Sequence, residues 1–147
     1  MMEEILNNAR TAIETLQKQL EADFTEEILE ALLRAMSLIF LLSRKYRRNI
    51  ENFSGSYMFK GRNDSFMVAA LFDGAEMKVH KNPIENPSIT IAFKDPAALR
   101  NFIFSPKPDI LSAILLQDVT LEGNLNYLYK FAYMANHLRL KAQDLVA

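Results

Sequence analysis

The sequence predicts an α+β fold, and three observations carry that prediction. Apolar side chains before Asn52 recur at helical spacing, after Asn52 their period becomes two, and past the fourth alternating segment helical spacing returns in short, interrupted stretches. With 147 residues, one domain is the default. Residues 1–52 are expected as a helical hairpin packed on a core spanning 53–147. A chain of this length hides roughly 68–70% of its unfolded surface, which is enough for a core without staples. The sequence has no cysteine, so disulfides and thiolate-bound metals are excluded.

In the first helix, Ile5, Ala9, Ala12, Leu16 and Leu20, widened by Leu6 and Ile13, form one apolar face with Glu, Gln, Asn and Lys between them. Thr25 is a suitable cap for the second helix. Glu26 and Glu27 follow in its first turn, and Phe24 is placed to close on Leu29 as a hydrophobic staple. Between residues 28 and 42, Glu30, Arg34 and Ser37 fall at steps of four and three, and Arg44 continues their row past Leu41. The polar stripe is narrow and the rest of the cylinder is apolar. This helix is therefore either enclosed by its own protein or shared with a partner, a second copy or lipid. It is too short and too charged for a membrane span, which needs about 20 mostly apolar residues. Arg44, Lys45, Arg47 and Arg48 crowd its far end, where the helix dipole favours cations.

Strands follow. Tyr57 and Phe59 alternate with Ser56 and Lys60, Gly61-Arg62-Asn63-Asp64 is a turn, 65–72 is a largely apolar strand, and Asp73-Gly74 signals a hairpin. Met77 and Val79 face one way and Glu76, Lys78 and His80 the other, as in a sheet with one wet face. Residues 81–87 carry two prolines and two asparagines and read as a connection. In the fourth strand Ile89, Ile91 and Phe93 alternate with Ser88, Thr90 and Ala92. Asp95-Pro96 then starts a helix over 97–104 with a cap and an N1 proline. Ser105-Pro106-Lys107-Pro108 breaks it, and a short helix over 108–116 carries Ile110, Leu111, Ile114 and Leu115. A fifth strand over 119–122, a turn at Gly123 and a cap at Asn124 lead into a last helix to about residue 143. Its apolar band is Leu125, Leu128, Phe131, Ala132, Ala135 and Leu138.

Chemical constellations are missing. His80 and His137 fall on polar faces and read as solvated, and no HExxH, GxGxxG, GxxxxGK[ST] or GxSxG pattern exists. Phe53-Ser54-Gly55-Ser56 is a strand lead-in. No enzyme is expected, with no catalytic residue, no metal ligand and no cofactor. A formal charge of -1 supplies no field for nucleic acid, which is not expected as a partner. The basic run Arg44, Lys45, Arg47, Arg48 is accounted for by dipole complementarity, with transient contact to an anionic membrane surface as the functional alternative. Seven methionines fill a core or line an adaptable pocket. The acidic start, Met1-Met2-Glu3-Glu4, lacks a secretory pattern, so a cytoplasmic protein is expected.

The order of elements from Gly55 onward carries a family likeness. Ile89-Thr90-Ile91-Ala92-Phe93-Lys94-Asp95 precedes the first of the later helices, and Asp118-Val119-Thr120-Leu121-Glu122-Gly123-Asn124-Leu125 opens the last. Over residues 55–143 this resembles the sterol carrier protein 2 family, of bacterial type, in which a V-T-I strand, a helix and a K-[LIV]-x-[LIV]-x-G-[DN] strand and turn are typical. Asn124 stands where Asp is usual, a mild change for a helix cap. Residues 1–52 lie outside the pattern. The resemblance implies a mixed five-stranded sheet with helices on one face and an apolar tunnel for an acyl, sterol or isoprenoid lipid. The residues expected to line it are Ile89, Ile91, Phe93, Leu99, Phe102, Ile103, Phe104, Ile110, Leu111, Ile114, Leu115, Leu125, Leu128 and Phe131. Two alternatives stay open: a homodimer or partner module using the apolar second helix, and an accessory protein presenting isoprenoid quinone intermediates to enzymes.

Overall fold

Five strands form one sheet in the computed structural model, which describes residues 1–22, 25–104 and 110–146. They are β1 (Ser54–Gly61), β2 (Met67–Asp73), β3 (Met77–His80), β4 (Ile89–Phe93) and β5 (Val119–Gly123), in the order β3-β2-β1-β4-β5. Pairing is antiparallel except between β1 and β4, which run parallel, so the sheet is mixed as expected. Tyr57 lies opposite both Ala70 and Ile89, and Phe59 opposite both Val68 and Ile91. Residues facing each other across a ladder project to the same side. Tyr57, Phe59, Phe72, Met77, Ile89, Ile91, Phe93 and Val119 therefore share the inner face, and all are buried.

The outer face is polar at Lys78, His80, Thr120 and Glu122, which are exposed. Its centre differs from a simple wet face. Met58 and Ala69 pair there and are buried, because β1 and β2 occupy the middle of the sheet and Met67 and Leu71 stand beside them half-covered.

The second and last helices pack on the strands, and the first packs on those two. Helix α1 (Met2–Ala22) buries Ala9 and Ile13 against α2 (Thr25–Leu42). Helix α2 lies between α1, the strands β2 and β3, and the terminal helix α6 (Leu125–Val146). Its Leu29, Leu32, Leu33, Ala35, Met36, Ile39 and Phe40 are covered, so the helix places this apolar surface within its own chain and leaves Leu41 about half exposed. The narrow polar stripe meets the sheet edge. Ser37 Oγ donates to the Met77 carbonyl at 3.1 Å, occupying an acceptor on edge strand β3. Glu30 pairs with Arg34 at 2.9 Å and with Lys81 at 3.1 Å. Partial burial works to raise the Glu30 pKa, but these two cations outweigh it and hold the carboxyl below its usual range.

The ends of the helices follow local chemistry. Ser43 interrupts the second helix, and its Oγ accepts from the Tyr46 amide at 3.1 Å to start α3 (Arg44–Arg47), followed by a 3₁₀ turn over Arg48–Ile50. Arg47 folds back and donates to the Phe40 and Leu41 carbonyls at 3.1 and 3.3 Å, satisfying the open end of α2. Asp95 Oδ1 accepts from the Ala98 amide at 2.8 Å and starts α4 (Pro96–Phe104). Asn124 Oδ1 accepts from the Asn126 amide at 2.9 Å and caps α6. Before that cap Gly123 has φ 125, and a Cβ there would lie 2.5 Å from the Ser88 carbonyl oxygen, so this turn requires glycine. The Phe24 staple, the Thr25 side-chain cap and the break at Ser105-Pro106-Lys107-Pro108 lie outside the described residues.

Candidate functional site

The apolar wall begins at the carboxyl end of β4. The Phe93 ring lies 5.6 Å from that of Phe102 on α4, and Phe102 stacks parallel to Phe131 of α6 at 6.3 Å. Phe131 continues to Phe59 at 4.7 Å and Tyr57 at 5.8 Å. Tyr57 donates its hydroxyl to the Tyr127 carbonyl at 2.9 Å, and Tyr46 donates to the Met134 carbonyl at the same distance. Burial pushes both phenols above their ordinary range, with the Tyr127 hydroxyl adding to the effect on Tyr57.

The residues expected to line a tunnel therefore divide. Ile89, Ile91, Phe93, Leu99, Phe102, Leu128 and Phe131 come together as one buried wall, joined by Ile110 and the half-buried Ile114 of α5 (Ile110–Leu115). Leu111 and Leu115 stand elsewhere, 60% and 73% exposed, with Leu116 beside them at 66%. The reason is helical geometry. A helix of six residues has one contact stripe, and Ile110, Ala113 and Ile114 take it at steps of three and four. Positions 111 and 115 then fall off that stripe. Leu125 is 38% exposed because it is the first residue of α6, ahead of the turn that docks. The side chains of Ile103 and Phe104 lie outside the described residues.

Two cavities were not anticipated. One, of about 360 Å³, opens at the carboxyl ends of the parallel pair β1 and β4 and is lined by Gly61, Arg62, Ser65, Phe66, Phe93, Lys94, Asp95 and Pro96. Arg62 crosses toward α5, donating to the Gln117 carbonyl at 2.6 Å. Crevices beyond the carboxyl ends of parallel strands are common ligand positions. Gly61 and Arg62 read as turn residues, and only the parallel pairing gives them this place. The other cavity, of about 510 Å³, sits at the opposite end of the sheet and is lined by Arg44, Arg47, Arg48, Glu51, Gly74 and Ala75.

Titratable chemistry is sparse. His80 is exposed, as expected. His137 is not simply solvated: it is half-buried, with Nδ1 at 3.1 Å from Asn49 Nδ2 and its ring 5.1 Å from Tyr46. Helix α6 rotates it toward α3, an inter-helix contact that its own polar row does not reveal. Among the described residues, no group of three His, Cys, Asp or Glu side chains could hold a metal ion. No helix among them is long and apolar enough to cross a membrane.

With its mixed sheet ordered β3-β2-β1-β4-β5 and helices on the inner face, the chain shares its fold with solved sterol carrier protein 2 domains. Among solved structures, the chain is similar to the UbiJ-SCP2 ubiquinone synthesis protein, with 11% identity over 67% of this chain and 80% of that one and a TM-score of 0.51. It is similar to the sterol carrier protein domain 2 of Helicoverpa armigera, with 19% identity over 72% and 84% of the two chains and a TM-score of 0.51. The sec-alkylsulfatase Pisa1 from Pseudomonas sp. matches 69% of this chain with only 16% of its own, at 16% identity and a TM-score of 0.52. At these identities the likeness is one of fold. No protein-family profile and no curated protein sequence matches the chain.

Proposed function

We propose that this chain is a non-catalytic, cytoplasmic lipid-binding and lipid-transfer protein. In this reading residues 1–52 and 53–147 act as one lipid-binding domain, and α5 forms one wall of an apolar tunnel for an acyl, sterol or isoprenoid lipid, with its outer side turned to the cargo. The observation that carries the proposal is α5. Through Ile110 and Ile114 it rests on the buried wall, while Leu111, Leu115 and the adjoining Leu116 face solvent. A short helix that is apolar on two sides suits a segment placed between a core and a bound lipid.

Burying a chain of about fifteen methylenes at about 0.8 kcal/mol each yields roughly 12 kcal/mol, against association costs of about 4–15 kcal/mol. The net grip is modest, which suits a carrier that must release its cargo. No bond is made or broken. The mechanism is exclusion of water, followed by hand-over at a membrane that Arg44, Lys45, Arg47 and Arg48 touch transiently. The likeness to a ubiquinone synthesis protein supports a variant of the same reading, in which the cargo is an isoprenoid quinone intermediate presented to an enzyme.

Gentle purification followed by native mass spectrometry and solvent extraction tests the proposal. A lipid-sized mass increment on the folded chain is expected, and the chemistry of the extract separates acyl, sterol and quinone cargo. Protein that arrives empty and takes up neither a fluorescent fatty acid nor a fluorescent sterol contradicts it.

A further inference from the structure

We propose that the arginine-lined cavity between α3 and the β2–β3 turn is a recognition site for a phosphate-class anion, separate from the lipid seat. The cavity holds about 510 Å³, and three arginines, Arg44, Arg47 and Arg48, line it with a single acidic residue, Glu51. Arg44 and Arg48 are four residues apart and Arg44 and Arg47 three, so like charges share one face of a single turn. Such like-charge pairs disfavour the local turn, and a bound anion would relieve them.

No internal partner supplies that relief. Among the described residues, the side chains of Arg44 and Arg48 have neither an ion pair nor a hydrogen bond and are exposed. In the β2–β3 turn the Asp73 carboxylate accepts from the Glu76 and Ala75 amides at 2.8 and 3.0 Å, which hold it below its usual range. Arg47 is fixed by its bonds to the Phe40 and Leu41 carbonyls, and it lines the cavity together with Arg44 and Arg48.

Guanidinium forks match the oxygens of phosphate in bidentate pairs, and several of them around one space favour a multiply charged tetrahedral anion over a single carboxylate. The volume leaves room for a diphosphate or a phosphate ester carrying a further group. The cavity and α5 lie at opposite ends of the sheet. Asn52 and Gly74 mark one end, joined by a backbone bond of 3.3 Å, whereas Gly61 and Phe93 mark the other. Anion binding and lipid uptake can therefore be read separately.

The experiment titrates the full chain with inorganic pyrophosphate by calorimetry. In parallel, co-sedimentation is measured with phosphatidylcholine vesicles with and without phosphatidic acid. The same measurements follow on Arg44→Gln/Arg48→Gln and on Arg10→Gln, which is exposed on α1 and lies outside the cavity, with circular dichroism as the folding check. Saturable pyrophosphate binding that weakens at least tenfold in the double variant and stays within twofold in Arg10→Gln supports a soluble phosphate ligand. The same pattern confined to phosphatidic acid vesicles supports a lipid headgroup. Binding in neither arm, or a loss as large in Arg10→Gln as in the double variant, overturns the proposal, whatever the lipid uptake of these proteins.

Discussion

Leu115→Ala separates a lipid-contacting surface from ordinary core. In the free protein Leu115 is 73% exposed, so the substitution removes little packing, and alanine is a good helix former. Stability should stay within about 0.5 kcal/mol of the parent. Full burial of a leucine is worth about 1.5–3 kcal/mol, and nearly three quarters of this side chain is still to be buried when a lipid covers α5. The variant should therefore lose about 1–2 kcal/mol of lipid binding, a factor of about 5–30 in Kd. Displacement of a fluorescent fatty acid reads the affinity and urea unfolding reads the stability. Phe102→Ala is the counterpart: it empties a space between the rings of Phe93 and Phe131, at 5.6 and 6.3 Å, and should cost about 3–5 kcal/mol of stability. A Kd for Leu115→Ala within twofold of the parent, with stability also unchanged, would refute the placement of lipid against the outer side of α5.

Further outcomes follow from the same structure. Gly123→Ala places a Cβ 2.5 Å from the Ser88 carbonyl oxygen at φ 125, and the strain alone should cost about 1–3 kcal/mol in urea unfolding. Stability should fall steeply at alkaline pH. Tyr46 and Tyr57 have pKa values raised above 10.0 by burial, so their contribution is complete below pH 10 and shrinks above it as the unfolded chain loses phenolic protons that the folded one retains. The expected slope is about 1.4 kcal/mol per pH unit for each tyrosine, and Tyr46→Phe should flatten it. Leu38→Glu puts a carboxylate on a side chain packed against the core and should unfold the protein, as read by circular dichroism. A folded monomer released from a larger assembly would instead favour a partner seam on α2.

Periodicity made most of the architecture legible. The change from 3.6 to 2 after Asn52, the Asp73-Gly74 turn, and the caps at Asp95 and Asn124 each rest on chemistry within a few residues, and each is where the sequence places it. The site is less legible because its parts depend on how elements meet. Leu111 and Leu115 share the composition of Ile110 and Ile114, and only the docking angle of α5 decides which pair is buried. His137 looks solvated within its own helix until Asn49 and Tyr46 arrive from α3 and the following turn. The polar stripe of α2 is visible in the sequence but its partner is not: Ser37 uses it to cover the β3 edge. The basic run is both things at once: Arg47 completes the end of α2, as dipole complementarity suggests, while Arg44 and Arg48 are left to line a cavity made by a turn about thirty residues away in sequence.

Lipid seating can be mapped residue by residue with a doxyl-labelled fatty acid and methyl and backbone resonances of the folded chain. Paramagnetic broadening should concentrate on Leu111, Ile114, Leu115 and Leu116, and leave Lys78, His80 and Thr120 on the outer sheet face sharp. Broadening confined to the outer face or to α1, or none at saturating lipid, would contradict a carrier that holds its cargo against the outer side of α5.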